Sequence, residues 1–404
     1  MSKSNFFTGQ PIFSQLINFL PKEKIQRISK EHHADRYCKK FNTYHHLVTI
    51  MYSVLNKCDG LREITTGLLG WEQRLTHLGM TNHPRRSTLS DANTRRPAEV
   101  FEAIYLALLQ KYGQFLPDSR NKKASQIYIF DSTSISLFQE VLRAAGLTPA
   151  NGKQKGGIKV HTLMRSDQDV PCFIKYSSAV ANDSSFLKEI KLPKKSVLLF
   201  DRGYNDYRTF NSLTNENVTW VTLRRVRAVY EVVEEREVSE VHQKAGVVSD
   251  QVITLGHNHQ KNNPRVKSRL VIFIEKSTGK RFEFITNNLK KSPLTIAALY
   301  QRRWQIEVLF KRLKQNYPLR YFNGDSENAI KIQIWCVLIV DLLLKIIKRQ
   351  AAKKWAFSNL VSMIRLHLMT YIDLFAFLKS PEKALLSIIK NKQNRQNNLT
   401  LFSP

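Results

Sequence analysis

The chain has 404 residues, with 63 lysines and arginines against 33 aspartates and glutamates, for a formal net charge of +30. Its 42% hydrophobic and 10% aromatic content can fill the cores of two or three domains and excludes wholesale disorder, while 15 glycines and 13 prolines are too few for a fibrous or low-complexity protein. So large a positive excess points to a polyanionic partner, of which nucleic acid is the commonest.

Residues 1–7 lack the long apolar core of a signal peptide. Cys38, Cys58, Cys172 and Cys336 are scattered without a C-x-x-C pair, which suits a reducing compartment rather than a zinc or disulfide framework. A cytoplasmic, nucleoid-associated protein with no membrane partner is therefore expected. Residues 1–120 read as a helical N-terminal DNA-binding domain. Apolar residues recur at helical spacing in Phe13, Leu16, Ile17 and Leu20, in Leu47, Ile50, Met51, Val54 and Leu55, and in Val100, Phe101, Ile104 and Leu108. Between Pro84 and Pro97, residues 85–96 combine capping residues with flanking arginines. They fit equally a short helix that offers basic and polar side chains to DNA and an ordinary solvated helix or turn.

Over residues 121–223 the pattern changes. Strands are expected at 126–130, 158–164, 172–176, 196–200 and 219–223, with helices at 183–190 (capped by Asn182 or Asp183) and 205–213. Strands and helices in this order imply a mixed α/β sheet. Residues 224–288 are β-rich, with a hairpin signal around Ser277, Thr278 and Gly279, and read as an all-β insertion. Residues 289–345 resume the α/β domain with a helix, and 346–404 form a helical C-terminal region whose polar tail from Asn391 is expected to fray. The greasiest segment, 332–347, contains Gln333, Asp341 and Lys345, so it reads as a buried core helix rather than a membrane span.

Two aspartates follow apolar strand segments. Asp131 comes after Ile127, Tyr128, Ile129 and Phe130, and Asp201 after Val197, Leu198, Leu199 and Phe200. A carboxylate at the end of a buried strand is held rigidly at the sheet rim, where α/β proteins place ligands. Singly, each is explained as a cap or turn residue. As a pair they suggest a metal site. The third acid is Glu307, alone among cations between Thr286 and Gly324. Tyr300, Arg303, Glu307 and Lys314 follow the spacing Y-x2-R-x3-E-x6-K, and on one continuous helix they fall within roughly 60° of one another. Leu299, Ile306, Phe310 and Leu313 make an adjacent apolar stripe for packing on the sheet. A surface i, i+4 pair explains Arg303 and Glu307 but not Tyr300 and Lys314. Three carboxylates on a basic protein suit two Mg2+ ions, with Mn2+ as a substitute, for attack on a phosphodiester. Arg303 and Lys314 are suited to hold backbone phosphates.

Asp131 in Phe-Asp-Ser-Thr, Asp201 in Phe-Asp-Arg-Gly-Tyr, the complete Tyr300, Arg303, Glu307 and Lys314 spacing and residues 284–288 (Phe-Ile-Thr-Asn-Asn) together resemble the DDE-type transposases of bacterial insertion sequences, in the branch marked by a Tyr-Arg-Glu-Lys signature. The resemblance covers roughly residues 125–345, and less specifically the helical region before them. It implies an RNase H-like mixed sheet with helices, interrupted by an all-β insertion, preceded by a helical N-terminal domain and followed by a helical C-terminal region. It implies that Asp131, Asp201 and Glu307 are catalytic and bind two Mg2+ ions, and that Tyr300, Arg303 and Lys314 contact DNA near the cut. It implies a homodimer that synapses terminal inverted repeats and moves the element to target DNA by cut and paste, through a hairpin intermediate. Some relatives trap a flipped base with a tryptophan in the insertion; no motif fixes its equivalent, although Trp220 lies nearby. A catalytically silent DNA-binding remnant and an RNase H-like nuclease without strand transfer are the competing readings. Lys159 and His161 are assigned structural or solvent-facing places, His257 and His259 plain surface, and Trp304 helix packing; His32, His33, His45 and His46 lack ligand partners at useful spacing.

Overall fold

The computed structural model describes residues 9–116, 126–136, 157–178, 184–256 and 264–400. Residues 9–116 and 312–400 cluster into one unit, and residues 126–136, 157–178, 184–256 and 264–311 into a second. The expected cap at Asn182 or Asp183 and the histidines 257 and 259 lie outside the described residues.

The first unit is helical. Every apolar residue picked out above by helical period between Phe13 and Leu108 is buried. Helices Thr43–Asn56 and Ala98–Tyr112 both pack on the long helix Glu327–Gln350. That helix buries even Gln333 and Asp341, at 1% and 2% exposure, and buried polar groups need partners. Gln333 donates to the carbonyls of Pro318 and Tyr321 and accepts from the Asn323 amide. Asp341 accepts from Arg312, Lys345 and Tyr317. It is a core helix, and among the described residues no helix is long and apolar enough to cross a membrane. The polar tail departs from expectation: helix Pro381–Thr400 runs through it. Between Pro381 and Pro404 there is no Gly or Pro, and the Lys, Gln and Arg of this stretch tolerate helix well.

A second set of buried polar groups anchors the short helix Arg86–Arg95, whose only buried side chains are Leu89, Ala92 and Asn93. His46 Nε2 donates to Asn93 Oδ1 at 2.8 Å, Asn93 Nδ2 to the Asn323 carbonyl at 2.9 Å, and Asn323 Nδ2 to Ser53 Oγ at 2.6 Å. Asn328 Nδ2 reaches the carbonyls of Asn93 and Arg96, both at 2.8 Å. Burial, reinforced by the nearby Arg96 charge, pushes the His46 imidazole down to about 3, so it sits neutral in this network.

The second unit is built on one sheet of nine strands: β1 (Ile127–Ser136), β2 (Gly157–Arg165), β3 (Val170–Ser178), β4 (Val197–Phe200), β5 (Thr219–Leu223), β6 (Tyr230–Arg236), β7 (Val247–Leu255), β8 (Val266–Glu275) and β9 (Lys280–Thr286). Their order is β3-β2-β1-β4-β5-β9-β8-β7-β6. β4 pairs in parallel with β1 and β5, and every other pair is antiparallel. All four β4 residues are buried, as for a strand covered on both faces. One face packs Phe130, Leu198, Phe200 and Trp220 against Phe210 and Leu213 of helix Tyr207–Asn215. Alternation turns Ile129, Leu199 and Val221 to the other face, and helix Pro293–Gln301 packs on β5, β7, β8 and β9.

The β-rich segment does not stand apart; it continues the sheet. β9 pairs with β5 from Val221–Thr286 to Leu223–Phe284, covering backbone groups that β5 would otherwise leave open at an edge. The β8–β9 turn closes at Gly279 with φ +69°, a conformation that favours glycine. Buried Asp250 on β7 and Arg269 on β8 form a bidentate pair at 2.7 and 2.6 Å, and Arg269 also reaches the carbonyls of Asn288 and Lys291. The outermost strand, β6, is largely exposed, carries Glu231, Glu234 and Glu235, and is bulged between Val232 and Glu234.

Candidate active site

β1 and β4 pair in parallel up to Phe130 and Phe200, so Asp131 and Asp201 are the next residue on each of two adjacent strands. Asp131 does not end its strand, as expected, because residues 131–136 stay paired with β2 down to Gly157. It lies within β1, on the face of Ile129 and opposite the Phe130 core. Asp201 does leave its strand and caps the turn Arg202–Tyr204, its Oδ2 accepting from the Gly203 amide at 3.5 Å. The capping explanation thus holds for Asp201, but it engages one oxygen only. Arg225, which no sequence signal singled out, braces this turn by donating to the carbonyls of Arg202 and Gly203 at 3.0 and 2.9 Å.

The third acid comes from the helix Trp304–Asn316. Tyr300, Arg303 and Glu307 do not share one uninterrupted helix. Helix Pro293–Gln301 ends first, and the junction is tightened by bonds from Arg302 to Leu299, Arg303 to Tyr300, Gln305 to Arg302 and Ile306 to Arg303, each spanning three residues. Side chains at the junction are claimed by different parts of the sheet unit: Arg302 pairs with Asp167, Arg303 with Asp131, and Gln305 accepts from Ser166 at 2.7 Å. Leu299, Ile306 and Phe310 are buried as expected, whereas Trp304, expected to pack, is 62% exposed at the start of the new helix.

These elements bring Arg303 up to Asp131 and Glu307, and Tyr300 up to Asp201. Arg303 forks between Asp131 and Glu307, with Nη1 donating to Asp131 Oδ2 at 3.2 Å and Nη2 to Glu307 Oε1 at 2.6 Å. The guanidinium side chain is 14% exposed and lies 5.6 Å from the Tyr300 ring centre. Tyr300 OH donates to Asp201 Oδ1 at 3.5 Å. Burial raises the Asp131 carboxyl to about 6; its bonds to the Ser132 amide and Arg303 oppose this, and the charges of Asp201 and Glu307 add to it. Burial pushes the Tyr300 phenol up to about 12, so it stays a neutral donor. Among the described residues no three His, Cys, Asp or Glu side chains lie close enough to hold a metal ion as they stand. The donors themselves are hard carboxylate oxygens that repel one another, which is the chemistry Mg2+ or Mn2+ accepts. Asp131, Asp201 and Glu307 are the residues that could hold such ions.

Lys314 is an exposed residue of the same helix, past residue 311 where the sheet unit ends, so it belongs to the helical unit. Trp220 is fully buried, stacked on Phe210 at 4.2 Å with its indole N–H donating to Thr214, and so is core. His161 is likewise buried, stacked on Phe186 at 3.9 Å and bonded to Ser177, a structural place as expected.

The Transposase DDE domain family matches residues 122–343, more than half of the chain. The chain belongs to the DDE transposase family. A domain family of unknown function matches residues 8–81 of the transposase. A Sinorhizobium fredii protein named as a transposase is 30% identical over 268 residues, covering 66% of this chain and 72% of that one. Two proteins named as insertion-sequence transposases, from Synechocystis and Geobacillus stearothermophilus, are 26% and 23% identical, covering 65% and 69% of this chain and 71% and 72% of theirs. A solved piggyBac transposase synaptic complex with hairpin DNA aligns over 94% of the chain and 80% of that one, at 12% identity and a TM-score of 0.41. This is an insertion-sequence transposase of the DDE type, and Asp131, Asp201 and Glu307 all fall within the matched region.

Proposed function

We propose that the protein is a cut-and-paste transposase whose RNase H-like core is the sheet β3-β2-β1-β4-β5, with Asp131, Asp201 and Glu307 as catalytic residues and ligands of two Mg2+ ions. The observation that carries this reading is the approach of the three acids from β1, the turn after β4 and the Glu307 helix, with Asp131 and Glu307 held by one guanidinium. When bound, the paired cations supply Lewis acidity that activates the attacking oxygen and stabilises the leaving one. Asp131, raised to about 6, is predominantly ionised at neutral pH and so able to ligate. Tyr300 remains protonated and keeps Asp201 oriented. Arg303, Tyr300 and Lys314 hold phosphates flanking the scissile bond and fix its register. Water first hydrolyses the strand at the transposon end and leaves a 3′-hydroxyl on the element. That hydroxyl attacks the opposite strand, closing the hairpin and expelling the flanking DNA as its own 3′-hydroxyl. A second water reopens the hairpin, and the freed 3′-hydroxyl attacks a target phosphodiester and displaces the target's 3′-oxygen.

Recognition of the terminal inverted repeats falls to residues 1–120. Supporting this, helix Arg86–Arg95 exposes Arg86, Ser87, Ser90, Asp91, Thr94 and Arg95 beside exposed Arg85 while the asparagine network fixes its inner side. The protein acts as a homodimer in the synaptic complex, on nucleoid DNA in the cytoplasm. Incubation of the purified protein with its element's ends, target plasmid and Mg2+ tests the reading. Cleaved ends joined to target support it. Cleavage without joining leaves only a nuclease, and specific binding without cleavage leaves a silent remnant.

A further inference from the structure

Arg303 engages the same two carboxylates that the proposed function assigns to metal, and it does so through both arms of its fork. The arrangement is well built: the side chain is 14% exposed, and its guanidinium carbon lies 5.6 Å from the Tyr300 ring centre. A divalent ion drawing on Asp131 and Glu307 would stand within a few ångströms of a fixed positive charge in a partly buried site, where repulsion is poorly screened. Guanidinium and ion therefore exclude each other. Phosphate is the one other partner on the reaction path that accepts a planar fork in two parallel bonds.

We propose that Arg303 is an internal counter-ion that occupies the carboxylate site of the DNA-free transposase and must transfer to a DNA phosphate before the site takes up divalent ions. The inference rests on the reading of Asp131, Asp201 and Glu307 as metal ligands. Arg303 then does two jobs in sequence. It offsets one of the two clustered negative charges while DNA is absent, and it withholds the metal from an enzyme that has nothing to cut. Linkage makes the effect reciprocal: DNA that captures Arg303 tightens metal binding, and metal tightens DNA binding by the same factor.

The test measures Mn2+ binding to the full chain without DNA, by the paramagnetic resonance signal of free Mn2+, with circular dichroism as the check on folding. If Arg303 holds the site for nine-tenths of the time or more, Arg303→Gln binds Mn2+ about tenfold tighter or better. Arg303→Lys, which keeps a charge but cannot fork, falls between that variant and wild type, and it carries the test should Arg303→Gln not fold. Equal or weaker Mn2+ binding by both variants, with Glu307→Gln losing the ion, overturns the counter-ion and leaves the metal site standing. Unchanged Mn2+ binding when Glu307→Gln or Asp201→Asn is added to Arg303→Gln (or to Arg303→Lys) overturns the metal-site reading, and the counter-ion with it.

Discussion

In the helical unit Asn93 is 3% exposed and its side chain is joined to His46 and the Asn323 carbonyl by neutral hydrogen bonds; in the sheet unit Arg303, only a little more accessible, stands between two carboxylates. The contrast is instructive. A neutral network satisfies each donor with one particular acceptor, so it specifies a single arrangement and has little to exchange. An ionic fork can trade its carboxylates for any comparable anion, and the carboxylates can trade it for any suitable cation. The first device holds a helix still, and the second permits a change of partner.

Four measurements would break or sharpen this contrast. The largest effect is expected from Glu307→Gln, which should lower metal-dependent end cleavage by about 10³-fold or more while the helical unit keeps its stability. Next comes acid. His46 is lowered to about 3 from an ordinary 6.5, so its contribution is whole above pH 6.5 and is lost as pH falls toward 3; by pH 4 the loss should reach about 3 kcal/mol, read by hydrogen exchange in the helices it joins and flattened in His46→Gln. Opposite in sign to the acid effect at His46, and of similar size, is Asp131→Asn. The wild-type carboxyl is raised to about 6 from 3.8, so its ionisation costs stability above pH 6, and that cost disappears as pH falls toward 4. The variant should exceed wild type by about 3 kcal/mol at pH 8 and match it at pH 4, measured by chemical unfolding. Between pH 6 and 4 these two groups push their units in opposite directions. Asn93→Ala should then cost about 2 kcal/mol by stranding His46 and the Asn323 carbonyl, again read by hydrogen exchange, and should leave Mn2+ binding unchanged.

Much of this framework was legible in the sequence, for identifiable reasons. The strands around Asp131 and Asp201 are short apolar runs broken by polar residues, and the helices of the first unit carry their period openly. Parallel pairing of β1 with β4 then places the two aspartates side by side, a step that needs only the end of each run. What the sequence withheld was decided by distant partners. The break between Gln301 and Trp304 depends on Asp167, Asp131 and Ser166, far away in the chain, and without it Trp304 reads as a packing residue. That β9 would pair with β5, making four strands an extension of one sheet, follows from an edge that exists only after folding. Arg225 and the asparagines at 93, 323 and 328 look like ordinary surface residues until their carbonyl partners are placed.

The outermost strand of that sheet has a consequence of its own. β6 ends a nine-stranded array, and its free backbone edge would welcome another strand from a neighbouring molecule. Its three glutamates and its bulge make such a neighbour unwelcome, since an incoming copy would set acid against acid on a kinked rail. The edge that could template a growing fibre thus carries its own deterrent in charge and shape.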